Sequence, residues 1–93
     1  MIRIVHLQIQ ITHCTDFEKF VHPFIPKIRD QEGCSRLDFL KGQPGHYFTV
    51  SEWDSEKALN QYRESALFAE IWPKVKPWFA SNAEAWSTET ITS

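Results

Sequence analysis

The chain has 93 residues, a formal net charge of −2, and a composition that is 42% hydrophobic and 14% aromatic. A domain of this size buries roughly 60–65% of its unfolded surface, so seven Phe and four Trp are more than a thin core requires and some are expected to meet a ligand or a second subunit. A pI near 6.0 supplies no positive field to gather nucleic acid or an anionic membrane, which removes those partners from the expectation.

No stretch approaches eighteen apolar residues, and the first residues lack an apolar core followed by a small-residue cleavage site. The expectation is a cytoplasmic protein with one domain over residues 1–93. Cys14 and Cys34 form no CxxC pair, and a helix between them would hold them roughly 25 Å apart, beyond disulfide reach. Both are expected as free thiols.

Residues 2 to 11 alternate, with Val5, Leu7, Ile9 and Ile11 on one face and His6, Gln8 and Gln10 on the other, the period of a strand. Thr15 or Asp16 then caps a predicted helix whose apolar positions are Phe17, Phe20, Val21, Phe24, Ile25 and Ile28. Pro23 and Pro26 fall on its opposite side, compatible with a kinked helix wrapping the core or with two short helices, and Glu32-Gly33 ends it. Cys34 to Lys41 and His46 to Trp53 are two strands joined by the turn Gly42-Gln-Pro-Gly45, a hairpin.

Asp54 or Ser55 caps a short helix to Glu64, with Ala58, Leu59 and Tyr62 inward. Ser65 starts another, in which Leu67, Phe68, Ile71, Trp72, Val75, Trp78 and Phe79 span an arc of about 140°, wider than lying on one sheet requires. Asn82 to Thr90 is the last strand. The order βαββαβ predicts a ferredoxin-like α+β subunit with a four-stranded antiparallel sheet and helices on one face. Large side chains occur at both parities of the strands, so the other face is expected to be covered by a second copy, sheet on sheet, in a homodimer.

The residues Gly33-Cys34, the run Ser51-Glu52-Trp53-Asp54-Ser55-Glu56-Lys57-Ala58-Leu59, and Glu64-Ser65-Ala66-Leu67-Phe68 resemble the antibiotic biosynthesis monooxygenase (ABM) domain of the dimeric α/β-barrel superfamily. The resemblance covers nearly the whole chain. It implies a homodimer that closes an α/β barrel, each subunit with a pocket between sheet and helices. Some members oxygenate polycyclic phenols using molecular oxygen and no cofactor, while others degrade haem. In the cofactor-free oxygenases a tryptophan at the position of Trp53 lines the pocket. Their pocket tyrosine falls on Leu59 and their asparagine on Thr49. The haem-degrading branch has a histidine ligand where Trp72 stands, and an indole cannot take its place on iron.

The expectation drawn from residues and resemblance together is a cofactor-independent monooxygenase acting on a small aromatic or quinone-like compound. Trp53, Tyr62 and His6 are the expected catalytic residues, with Thr49, Leu59, Phe68 and Trp72 lining the pocket. His6 enters as a candidate general base because an imidazole titrates near neutrality, provided its strand face points into the pocket. The alternative places it in the interior of a dimer barrel or in solvent. Four histidines without HxH or HxxxH spacing predict no metal site. A non-catalytic dimeric module that binds a small ligand or serves a stress response is the rival from another class, and haem degradation is a third reading.

Overall fold

Alternation in the amino-terminal segment places Val5 and Leu7 toward one layer and Ile4 and His6 toward the other, and in the computed structural model, which describes residues 1–92, this segment forms strand β1, Ile2–Gln8. The remaining strands are β2 (Cys34–Lys41), β3 (His46–Trp53) and β4 (Glu84–Thr88). They form one antiparallel sheet in the order β2-β3-β1-β4. Between β1 and β2 lie helices α1 (Cys14–Val21) and α2 (Ile25–Arg29), and between β3 and β4 lie α3 (Glu56–Arg63) and α4 (Ala66–Val75). This is the ferredoxin-like α+β arrangement.

The helices share one face of the sheet. Leu7, Leu37 and Tyr47 from the strands join Phe17, Val21, Phe24 and Ile28 from the first helical pair and Ile71 and Val75 from α4 in one buried cluster. Residues of the other parity, among them Ile4, Phe48, Val50, Leu40 and Trp86, occupy the opposite face, where Leu40 and Trp86 are each 48% exposed. Tyr47 donates its hydroxyl hydrogen to Glu18, which also takes Lys41 at 2.9 Å, so a polar clasp fixes α1 over the hairpin. Burial, with the bond to Glu18 next, pushes the Tyr47 phenol above its ordinary range. No helix among the described residues is long and apolar enough to cross a membrane.

The hairpin strands have the bounds the sequence predicts, and so has the serine start of each carboxy-terminal helix. Ser55 Oγ accepts from the Ala58 amide at 3.1 Å and Ser65 Oγ from that of Phe68 at 3.2 Å. Pro23 and Pro26 lie on the exposed side, and a 3-10 turn over His22–Phe24 divides the stretch into α1 and α2, so of the two expected forms the pair of short helices is the one observed.

Four expectations are corrected. Strand β1 stops at Gln8, not Ile11: the Ile9 amide donates to Gly45 O at 2.7 Å and the Gln10 amide to Trp78 O at 2.8 Å, so the chain leaves β3 and enters a 3-10 turn that leaves Ile11 65% exposed. Neither Thr15 nor Asp16 caps α1, because that turn runs straight into the helix at Cys14; Asp16 instead lies in the first turn, 3.5 Å from His13. The first helical pair ends at Arg29, before Glu32-Gly33, through a turn in which Asp30 N–H donates to Pro26 O and Gln31 N–H to Ile28 O. Strand β4 spans only Glu84–Thr88, since it pairs with β1 alone, from His6 to Ile2.

Gly33 serves the entry to β2. Its φ is +83°, and a Cβ built there would stand 2.5 Å from the Cβ of Ala58 on α3. Its carbonyl accepts from the Asp54 amide at 2.8 Å, tying the start of β2 to the approach of α3. A Gly33→Ala substitution is expected to lower the unfolding free energy by about 1–2 kcal/mol from the left-handed backbone alone, and further through the overlap with Ala58. The urea midpoint measures it, and an unchanged midpoint contradicts the close approach described.

Candidate functional site

Between the helix-facing side of the sheet and helices α3 and α4 lies a cavity of about 370 Å³, in the lower part of the span of roughly 300–1,000 Å³ usual for small-molecule sites. Its construction starts at Trp53, the last residue of β3, which is 2% exposed. The indole N–H donates to Ser51 Oγ at 2.9 Å, two residues earlier on the same strand face. A buried indole donor needs such a partner, and here it also fixes the orientation of the ring.

Ser55 caps α3 so that Ala58 and Leu59 close on one side of Trp53, and Tyr62, one turn further along, stacks on it at 5.3 Å and 20°. Phe68 meets Tyr62 edge-on at 5.3 Å, Trp72 stacks on Phe68 at 5.7 Å, and Phe79 meets Trp72 edge-on at 5.3 Å. Phe68 and Trp72 are four apart on α4 and so share a helix face. The result is an unbroken file of aromatic rings from the end of β3 to the end of the last helical segment. Each such pair contributes about 0.5–1.5 kcal/mol beyond its burial.

The polar groups of the cavity are few. Thr49 and Ser51 come from β3, the Tyr62 hydroxyl from α3, and two guanidinium groups from Arg3 on β1 and Arg63 at the end of α3. Arg3 Nη1 donates to Ser87 Oγ at 3.0 Å. Partial burial, and then the charge of Arg63, draw the Arg3 guanidinium below its ordinary pKa. Burial, with the neighbouring Cys34 thiol a smaller cause, pushes the Tyr62 phenol up to about 12. Tyr62 is therefore a hydrogen-bond donor at neutral pH. Burial also raises the Cys34 thiol, and both cysteines are free.

Six of the seven residues expected from sequence border this cavity: Trp53, Tyr62, Thr49, Leu59, Phe68 and Trp72. His6 does not, which corrects its expected place as a base in the pocket. Its parity is that of Ile4, opposite Val5 and Leu7, and the burial of Leu7 against the helices turns His6 to the far side of the sheet. There its Nε2 and His46 Nδ1 lie 2.9 Å apart, its Nδ1 is 3.5 Å from Glu84, and its ring stacks on His46 and Phe48. No His, Asp, Glu, Lys or Cys borders the cavity among the described residues. No cluster of three metal-ligating side chains occurs among them either.

Arg3, Ser51 and Arg63 are absent from the residues expected from sequence. A signal existed for the first two, because Arg3 has the parity of Val5 and Leu7, and Ser51 that of Trp53. Arg63 follows Tyr62 on α3, but helical periodicity alone assigns a terminal arginine to solvent.

The fold and its aromatic-lined cavity define a ferredoxin-like α+β protein. Solved structures share that fold throughout: one described as antibiotic biosynthesis monooxygenase has a TM-score of 0.89 at 17% identity, covering 99% of this chain and 100% of its own. A conserved protein from Methanosarcina mazei Go1 has a TM-score of 0.83 at 24% identity over 90% of this chain and 86% of its own. Rv0793 from Mycobacterium tuberculosis has 0.85 at 15% identity over 99% and 95%. No curated protein matches the sequence. The model of the antibiotic biosynthesis monooxygenase (ABM) family matches residues 1–73, and the chain belongs to that family.

The raised phenol has a measurable consequence. The unfolded chain releases the Tyr62 proton near pH 10 and the folded chain at about 12, so the fold holds the extra proton between those values. Its contribution is fully present below about pH 10 and is lost as pH rises through about 12. Chemical unfolding followed across that window is expected to show stability falling with pH, less steeply in Tyr62→Phe. Phenolate absorbance of the folded protein that develops already near pH 10 for both tyrosines contradicts this.

Proposed function

We propose that the chain is a homodimeric, cofactor-independent oxygenase that takes a small aromatic or quinone-like compound into the cavity beside Trp53 and Tyr62. The observation carrying this reading is the unbroken aromatic wall, Trp53 to Tyr62 to Phe68 to Trp72, against which a planar ring can stack. The Tyr62 hydroxyl donates to an oxygen of the bound ring, and Thr49 offers a second polar contact. Leu59 and Phe68 keep water from the ring, so a substrate anion and oxygen meet in a dry site. The electron leaves the conjugated anion for oxygen, and for a ring CH2 the balanced change is CH2 plus O2 to C=O plus H2O. No reductant is consumed.

The same cavity supports a second reading, a dimeric module that binds a small ligand without turnover. The observation favouring it is the lack of any carboxylate or imidazole along the cavity among the described residues. Haem degradation by a histidine-ligated route is not supported, since Trp72 stands at the ligand position and stacks on Phe68.

Oxygen uptake with a panel of phenols and hydroquinones separates the first two. Turnover is expected, with kcat/KM reduced about tenfold or more in Trp53→Phe and in Tyr62→Phe, the size of one lost transition-state contact. Saturable thermal stabilisation by the same compounds with no oxygen consumed establishes the binding module instead.

The second copy is proposed to lie on the bare sheet face, where Ile4, Phe48, Val50, Leu40 and Trp86 present apolar surface that a protein does not leave in water. Sedimentation equilibrium is expected to give twice the chain mass of 10.9 kDa, and the paired substitution Leu40→Lys, Trp86→Lys to give the single mass. A monomeric native protein removes the dimer from the proposal.

A further inference from the structure

Two of the cavity's polar groups are cations with nothing of opposite charge to meet. Arg3 and Arg63 border the same space as Trp53 and Tyr62, and no acidic side chain borders it among the described residues. Neither guanidinium forms an ion pair among those residues. Elsewhere this chain does pair its arginines: Arg36 lies 2.8 Å from Asp38, and Arg29 contacts the same carboxylate at 4.0 Å. The charged groups bordering the cavity are thus all positive, in a chain whose net charge is −2.

Placement makes the pair usable. Arg3 is half-buried and tethered to Ser87, whereas Arg63 is exposed at the end of α3, so the charges stand on the solvent side of the aromatic wall. Two guanidinium groups near one another repel unless an anion lies between them, and a guanidinium's planar fork suits a carboxylate or phenolate oxygen. A ligand that stacks on Trp53 and Tyr62 therefore meets cations as it reaches the mouth of the cavity. A cationic ligand meets only repulsion there, and a neutral one leaves the guanidinium groups as they were.

We propose that this cavity selects a flat aromatic compound bound as its anion, with Arg3 and Arg63 holding the ionised carboxylate or phenolate oxygen while the ring lies along Trp53 and Tyr62. The inference rests on the reading of the cavity as a ligand site and names the class of ligand. For a phenolate it also supplies what the missing base would have done: the phenol's proton passes to water as the compound binds, because the arginines favour the ionised form. His6, on the far side of the sheet, has no part in it.

Binding of two isosteric probes by calorimetry tests the idea on the full chain. 2-Naphthoate carries the anion and 2-naphthylmethanol has the same rings without charge. The acid is expected to bind about tenfold more tightly or better, as a charge-assisted hydrogen bond would give, with added salt weakening the acid alone. Arg63→Gln, at an exposed helix end, is expected to remove most of that preference with the alcohol's affinity unchanged. Arg3→Met is expected to do the same, and circular dichroism checks its fold. Equal affinity for the two probes, or an acid preference that survives in the double variant, overturns the inference and leaves the ligand cavity standing. Binding of neither probe overturns the cavity reading and the inference with it.

Discussion

A close approach between two backbones governs the rest of this structure. Helix α3 comes over the start of β2 at Gly33, where a single added carbon would collide with Ala58. Because that contact is so short, Leu59 and Tyr62 are carried against Trp53, and the indole becomes both the floor of a small cluster and the first ring of the cavity wall. A wider separation would leave the same side chains in place along the helix and nothing for them to stack on. The serine cap at Ser55 and the bond from the Asp54 amide to Gly33 hold the helix in that position from its first turn.

How much was legible in the sequence follows from how local each signal is. The hairpin of β2 and β3 and the starts of α3 and α4 were readable because alternation, a Gly-Pro turn and a capping serine each act over a few residues. The end of β1 was not, because Ile9 and Gln10 continue the alternation while their amides are taken by Gly45 and Trp78, residues far along the chain. The cap of α1 failed because an upstream 3-10 turn leads into the helix already at Cys14, so Thr15 and Asp16 lie inside its first turn and not at its start.

The candidate site shows the same division more sharply. Alternation says which residues share a strand face but not which face meets the helices. Leu7, buried against Phe17 and Val21, decides that question for β1, and in doing so sends His6 outward and Arg3 inward. A histidine with attractive chemistry thus lost its place to an arginine that only parity could have suggested. The aromatic residues were easier to assign because their bulk allows few positions in so small a core, and because the family resemblance pointed to Trp53 independently. Membership in the ABM family and the likeness to solved structures speak to the architecture. The chemistry has to be argued from the groups that border the cavity.

The four tryptophans of this chain are distributed over different surroundings. Trp53 and Trp72 stand in the cavity wall, Trp78 packs beside His13 and Phe20 at the opposite end of the helical layer, and Trp86 lies half-exposed on the bare sheet face. Indole emission depends on local polarity and on what stacks against the ring. The molecule therefore carries its own optical reporters, so that filling the cavity and covering the sheet would leave separate marks on the fluorescence of a protein to which no label has been attached.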